Sequence, residues 1–392
     1  MLINKFIKKG ITKKMKLICD KEELLDVINI VQKSIAPKSP MPILECLKID
    51  TTAEGDVIIT GTNLDLYIEY NAKFDVLEGG TVALTSKMFG EIVRRLPAGK
   101  VNITVNPENN ITKIQSGVSE FNIQGLNANN YPEVPIIDEK FRFSLSQSVL
   151  KNIIRKTISF VALNEGKRPV LTGALFEVKN NTLNVVTSDG HRLAAIKQEL
   201  KENIEDSKFI VPGQTLRELI KILKDEDEEV IDIIVSDRNV LFDFKTFQVY
   251  TRLLDGDFLK YDAILAAKNT ISAEVEKKYI IDSLERAMLL INDDISAKSE
   301  NKVPVRFSIG FDKVDITCIT GKGQVSDSVA ATITGEDLLI GFNCRFLLDA
   351  FSACDGDKVK MEFSAPTSGC FIRDMSGNNS YVYMILPVRL YN

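Results

Sequence analysis

The sequence predicts an α+β protein built from three tandem copies of one unit, and three observations carry that prediction. A ten-residue helical pattern recurs at residues 84–93 (LTSKMFGEIV), 211–220 (VPGQTLRELI) and 342–351 (FNCRFLLDAF). It sets Glu91, Glu218 and Asp349 at matching positions, 127 and 131 residues apart. An earlier amphipathic stretch recurs at residues 20–35, 146–161 and 276–291. Between the two lie short runs alternating apolar and polar residues, the pattern of a strand with one buried face. The repeat is far longer than the 20–50 residues of solenoid units, so each copy is expected to carry its own core.

The elements follow in order. In the first copy Asp20 is placed to cap the helix at 20–35 and stands three residues before Glu23, the capping-box spacing. A strand at 55–60 (GDVIIT), the second helix and a strand at 101–105 (VNITV) follow. In the second copy Ser146 is the expected cap, and Val149, Leu150, Ile153, Ile154 and Ile158 recur at three- and four-residue steps on one helix face. Strands are expected at 181–187 (NTLNVVT) and 231–235 (IDIIV), and in the third copy at 359–363 (VKMEF). Breaks near 132–140 (PEVPIIDEK) and 263–270 (AILAAKNT) give expected domains 15–138, 139–268 and 269–392. Residues 1–14 read as an N-terminal extension, expected to be disordered.

Composition excludes several classes. Of 392 residues, 44% are apolar and 26% charged, as in ordinary globular chains. No apolar run is long enough to cross a bilayer. The basic start MLINKFIKKGITKK lacks the apolar core and cleavage site of a secretory signal. Cys19, Cys46, Cys318, Cys344, Cys354 and Cys370 stand singly, and the chain has one histidine. Neither a zinc site nor any other metal or cofactor is expected, and the cysteines read as reduced core residues of a cytoplasmic protein. A formal net charge of −5 argues against nucleic acid as a partner unless the charge is unevenly spread.

The lone histidine lies in residues 187–194, TSDGHRLA. In the first copy residues 62–68 read TNLDLYI, with Asp65 and Leu66 opposite His191 and Arg192; the third has TGKGQVS at 320–326. The repeated fold therefore does not require Gly-His-Arg at this corner. Ser188, Asp189 and His191 crowd one tight turn and cannot line up as a catalytic triad. His191 as a lone general base stays open, although no nucleophile elbow or phosphate loop accompanies it. Two other readings are open: a turn in which Asp189 bonds backbone amides and Gly190 supplies a positive φ, or the polar rim of an apolar peptide pocket.

TSDGHRLA together with YMILPVRL at residues 383–390, on a threefold repeat of this length, resembles the bacterial DNA polymerase III beta subunits, the replicative sliding clamps. The resemblance runs from Met15 to Leu390. It implies the DNA-clamp (processivity factor) fold, each repeat having two helices on antiparallel sheets, in a head-to-tail homodimeric ring around double-stranded DNA. It also implies a non-catalytic role and a pocket between the second and third domains. That pocket would take a short motif, a Gln followed by Leu and Phe, from the replicative polymerase alpha subunit, the clamp loader, repair polymerases and other clients. Carried over position by position, it comprises Leu171, Ser188, Gly190, His191, Arg192, Leu193, Leu259, Ile264, Cys344 and Phe346. Met384, Ile385, Leu386, Pro387, Val388, Arg389 and Leu390 complete it. Arg192 and Arg389 are expected to bond client carbonyls or an acid. Leu259 and Ala263 stand where the family often has Pro and Arg, and Tyr391 and Asn392 run past its usual end.

An acidic chain holds DNA if its cations are gathered where the phosphates pass. The helix at 146–161 carries Lys151, Arg155 and Lys156 with no acid among them. The second helices add Lys87 and Arg94, then Arg217 and Lys221. Lys38, Lys167 and Arg168 lie in loops that the resemblance brings to the duplex. No base-reading element is apparent, so sequence-independent phosphate contact is expected.

Overall fold

The computed structural model describes residues 14–51, 55–164, 166, 168–226, 228–293, 303–376 and 380–390. The extension apart from Lys14, the loop cation Lys167 and the Tyr391–Asn392 end lie outside the described residues.

Helices α1 (Lys21–Val31), α2 (Ser86–Arg95), α3 (Gln147–Thr157) and α4 (Gly213–Leu219) form where the two recurring patterns predict them. So do α6 (Lys277–Asp293) and α7 (Cys344–Ala353), while the short α5 (Tyr261–Leu265) lies at the expected break and was not predicted. Asp20 caps α1 by accepting from the Glu22 amide, and Glu22 and Glu23 place negative charge on its first turn. Asn343 caps α7, its side chain accepting from the Arg345 and Phe346 amides. The first helices of the first two copies stop earlier than the apolar periodicity suggests, whereas α6 runs its full length. α1 and α3 each tighten into a 3-10 turn, Gln32–Ser34 and Ile158–Phe160. At the first of these, Gly61 lets the wholly buried strand Val57–Thr62 pass beneath, since a Cβ there would lie 2.6 Å from Ser34 Oγ and 2.8 Å from the Val31 carbonyl.

The described chain divides into two compact units at three cut points, none of them an expected repeat boundary. Residues up to Gln147 together with Glu226–Leu253 form the first; Ser148–Asp225 and the residues from Leu254 on form the second. Residues of the second repeat thus fall in both units. Its strands Phe141–Ser146, Val230–Val235, Asn239–Asp243 and Phe247–Arg252 continue into the first repeat's Leu66–Ala72, Val57–Thr62, Cys46–Thr51 and Thr81–Thr85 as one eight-stranded sheet. The join is antiparallel, with Thr251 opposite Leu66 and Val249 opposite Ile68. A separate five-stranded sheet completes the first unit.

The second unit holds a twelve-stranded sheet. Its second-repeat strands run Ser207–Pro212, Gly173–Lys179, Thr182–Ser188, Arg192–Glu199, and the last pairs with the third repeat's Tyr381–Ile385. All these pairings are antiparallel. Joining edge to edge leaves neither repeat with an unpaired strand at that point, which satisfies the backbone and removes an aggregation-prone edge.

Candidate functional site

The corner between Thr182–Ser188 and Arg192–Glu199 is a hydrogen-bonded turn. Ser188 Oγ accepts from the Gly190 amide at 3.1 Å and donates to the Arg192 carbonyl at 2.7 Å. Asp189 Oδ1 accepts from the His191 and Arg192 amides at 2.9 and 3.0 Å, and Gly190 takes φ +90°. The first repeat builds the same skeleton from other residues. Thr62 Oγ1 accepts from Leu64 at 2.8 Å, Asn63 Oδ1 accepts from Asp65 and Leu66 at 3.1 and 2.8 Å, and Leu64 takes φ +82°. Ser, Asp and Gly therefore make the turn. With the serine proton and the aspartate committed to backbone, the corner offers no nucleophile paired to His191, whose side chain is exposed.

Strand alternation sorts the remaining predicted residues onto two faces. Leu193 lies opposite Met384, and Arg192 opposite Ile385. Leu193 and Met384 face an apolar cluster with Leu171, Leu175, Val186, Ile210, Tyr261, Phe371 and Val382. Leu254, Phe258, Leu259, Ile264 and Leu265 pack over it and are themselves only partly buried. Tyr261 pins that covering segment, its hydroxyl donating to Glu177, and burial together with this carboxylate pushes the phenol's pKa up. Gly369 leaves the space that Met384 fills, for a Cβ there would stand 2.8 Å from its sulfur.

On the opposite face Arg192 is 8% exposed and fully engaged. Its Nε donates to Asp189 Oδ2 at 2.8 Å, Nη1 to Asp349 Oδ2 at 2.6 Å and Nη2 to the Ser159 carbonyl at 2.6 Å. The guanidinium carbon lies 5.0 Å from the centre of the Phe160 ring and 4.2 Å from that of Phe346. Three expectations are corrected here. Arg192 bonds the protein itself, because an almost buried cation is stable only with fixed acceptors. Ile385, fully buried, points away from the apolar cluster by the two-residue period of its strand. Cys344 is buried with its thiol donating to the Leu284 carbonyl of α6 at 3.3 Å, and burial pushes its pKa up to about 12; it packs helix on helix.

Beyond Ile385 the tail crosses back over this junction. The Leu386 amide donates to the His191 carbonyl and that of Val388 to the Gly341 carbonyl, each at 2.8 Å. Leu390 rests on Gly341, where a Cβ would lie 2.6 Å from its methyl carbon. Leu386 keeps 40% of its surface exposed, Pro387 and Val388 are half-buried and Arg389 is exposed. Partly exposed apolar side chains over a buried cluster, an exposed leucine and a fixed polar corner make a surface suited to apolar anchors of a short peptide. Among the described residues no group of three or more His, Cys, Asp or Glu is placed to hold a metal ion.

Family models for the DNA polymerase III beta subunit match in chain order: the N-terminal domain over residues 15–135, the central domain over 144–260 and the C-terminal domain over 263–389. The beta sliding clamp of Halalkalibacterium halodurans is 33% identical over 390 residues, covering 96% of this chain and 100% of that one. The chain belongs to the DNA polymerase III beta subunit family, the sliding clamps. A crystal structure of a beta subunit from Eubacterium rectale superposes with a TM-score of 0.89 at 33% identity, over 96% of this chain and 100% of that one. The Bacillus subtilis sliding clamp does so with 0.89 at 30%, over 97% and 100%. As a sliding clamp the chain is a non-catalytic accessory subunit, so the general-base reading of His191 falls away.

The clamp's predicted DNA-facing cations differ in setting. In the first unit Lys38 and Lys87 are exposed, and Arg94 is exposed while paired to Glu91. In the second unit Arg155 and Arg168 are exposed, Lys151 pairs with Asp225 at 2.7 Å and Lys221 with Glu218 at 2.7 Å. Arg217 is half-buried, and burial lowers its pKa. Lys156 is the correction. It is 1% exposed, its Nζ 2.5 Å from Asp355 Oδ2 and 3.8 Å from the centre of the Tyr381 ring. This cation brackets α3 to the end of α7 and has no surface to offer a phosphate. Sequence reasoning missed its partner Asp355 and the Arg192 partners Asp349, Ser159 and Phe160; only the recurrence of an acid at position 349 hinted at one of them.

Proposed function

We propose that two copies of this clamp close head to tail around double-stranded DNA and tether the replicative polymerase alpha subunit, the clamp loader, repair polymerases and other clients. The clients dock a short Gln-, Leu- and Phe-bearing peptide on the second unit, and the domains act as 15–138, 139–268 and 269–392. Contact with DNA is to phosphate, weak and independent of sequence; enclosure rather than affinity keeps the ring in place, as a sliding tether requires. In this reading the protein works in the cytoplasm at the nucleoid, where a replication clamp meets its DNA.

The observation that carries the reading is the buried apolar cluster beside the corner, under side chains that are only partly buried, with Leu386 40% exposed on the tail beyond Met384. The first unit holds comparable clusters. There Tyr131 is buried with Cys46, Ala83 and Ala128, and Val134 and Ile137 pack over Tyr67, Ile234, Leu241 and Tyr250. Linker side chains pack on both units in this way, so it is the exposed tail residue Leu386 that marks the second.

The test combines solution mass, binding of a Gln-Leu-x-Leu-Phe peptide, and lifetime on closed circular against linear DNA. A peptide-binding dimer that stays on circles and runs off linear DNA is expected. A peptide-binding monomer would make the protein an adaptor, and equal lifetimes on both DNAs would overturn enclosure.

A further inference from the structure

The three repeats place an acid at one helical position, yet its partners differ. Glu91 pairs with Arg94 and Arg95 within its own helix, and Glu218 with Lys221 just past the end of α4, each a local pair. Asp349 instead reaches the second repeat, holding Arg192 Nη1 at 2.6 Å. One turn earlier on α7, Phe346 lies with its ring centre 4.2 Å from the same guanidinium. Next to Arg192, the His191 carbonyl takes the Leu386 amide at 2.8 Å.

We propose that Asp349 is a positioning residue for client binding: through Arg192 it fixes Phe346, the corner and the start of the tail in one geometry before a peptide arrives. The inference rests on the peptide-groove reading above. Arg192 is 8% exposed with its fork already divided among Asp189, Asp349 and Ser159. A client carboxylate would have to displace one of these acceptors to reach a guanidinium that is itself almost buried. Holding the groove's parts in advance instead removes ordering cost from the binding step.

The two roles of Arg192 predict opposite signs. If the guanidinium contacts the client, Asp349→Asn frees it and binding is unchanged or tighter. If the pair positions the groove, Asp349→Asn weakens a fluorescent Gln-Leu-x-Leu-Phe peptide about tenfold. Arg192→Met does likewise, and the double variant is no weaker than the worse single, because one bracket has been broken once. Amide exchange at Leu386 and Val388 quickens in each variant, and Asp349→Glu, which keeps the charge, recovers most of the affinity. Binding is measured on the full chain well below each variant's melting transition, so a lowered Tm alone does not move it. Unchanged or tighter binding by Asp349→Asn, or additive losses in the double variant, overturns the proposal. A wild-type chain that fails to bind the peptide overturns the groove reading instead.

Discussion

A side chain's exposure separates what it does for the fold from what it offers a partner. Met384 and Leu386 are both predicted client contacts, but Met384 is 6% exposed within the apolar cluster and Leu386 40%. Truncating Met384 opens a cavity, so its effect on binding is mixed with lost stability. Leu386→Ala is the cleaner probe: about 1–3 kcal/mol of peptide binding is lost, with the melting transition little moved. Leu66, which stands at the Arg192 position of the first repeat, is 2% exposed. Leu66→Ala should cost about 2–5 kcal/mol of stability and leave peptide binding as it was. Calorimetry and peptide titration on the two variants check both halves, and equal binding losses would mean the groove is misassigned.

At the scale of elements, buried polar brackets tie strand to helix. Asp374, ending the strand Cys370–Asp374, accepts from the Tyr381 hydroxyl and the Gly356 and Ser376 amides, each at 2.6 Å. The Asp355 amide in turn donates to the Tyr381 hydroxyl at 2.9 Å, just beyond α7. Burial alone would raise the Asp374 pKa, but the donors at Ser376, Tyr381 and Gly356 outweigh it and hold the carboxyl well below the ordinary range. A depressed carboxylate stabilises the fold above its unfolded pKa, about 3.9 for aspartate, and that stability is lost as pH falls toward the folded value. The stability gap between wild type and Asp374→Asn should therefore stay constant at neutral pH and narrow below about pH 4. Denaturant titrations across that range measure it; a gap that widens toward acid would refute the assignment.

For the molecule as a whole, a formal net charge of −5 sets solubility but not where DNA can lie, since phosphate contact depends on local cations. Lys156 and Arg155 are chain neighbours with opposite fates, one buried against Asp355 and one exposed on α3. Arg155→Gln should weaken DNA binding and flatten the salt dependence by about 0.9 in log–log slope for a lost phosphate contact. Lys156→Met should leave that slope alone while lowering stability, because it removes the cation from a packed bracket. Salt titrations of duplex binding decide between them, and a reduced slope for Lys156→Met would restore it as a DNA contact.

Helices, strands and the threefold repeat were legible in the chain because periodicity is local: a helix repeats its face in 3.6 residues and a strand in two. The corner turn was legible too, since Asp189 and Gly190 act on amides two or three residues away. What only the tertiary structure decided depends on partners distant in sequence. The second repeat's strands join two different compact units through register with Leu66–Ala72 and Tyr381–Ile385, a choice no single strand encodes. Arg192 meets Asp349 157 positions away and Lys156 meets Asp355 199 positions away, so two cations read as outward-facing turned inward. A cation's charge is written in its side chain, but whether water or a carboxylate surrounds it is settled only when remote segments pack.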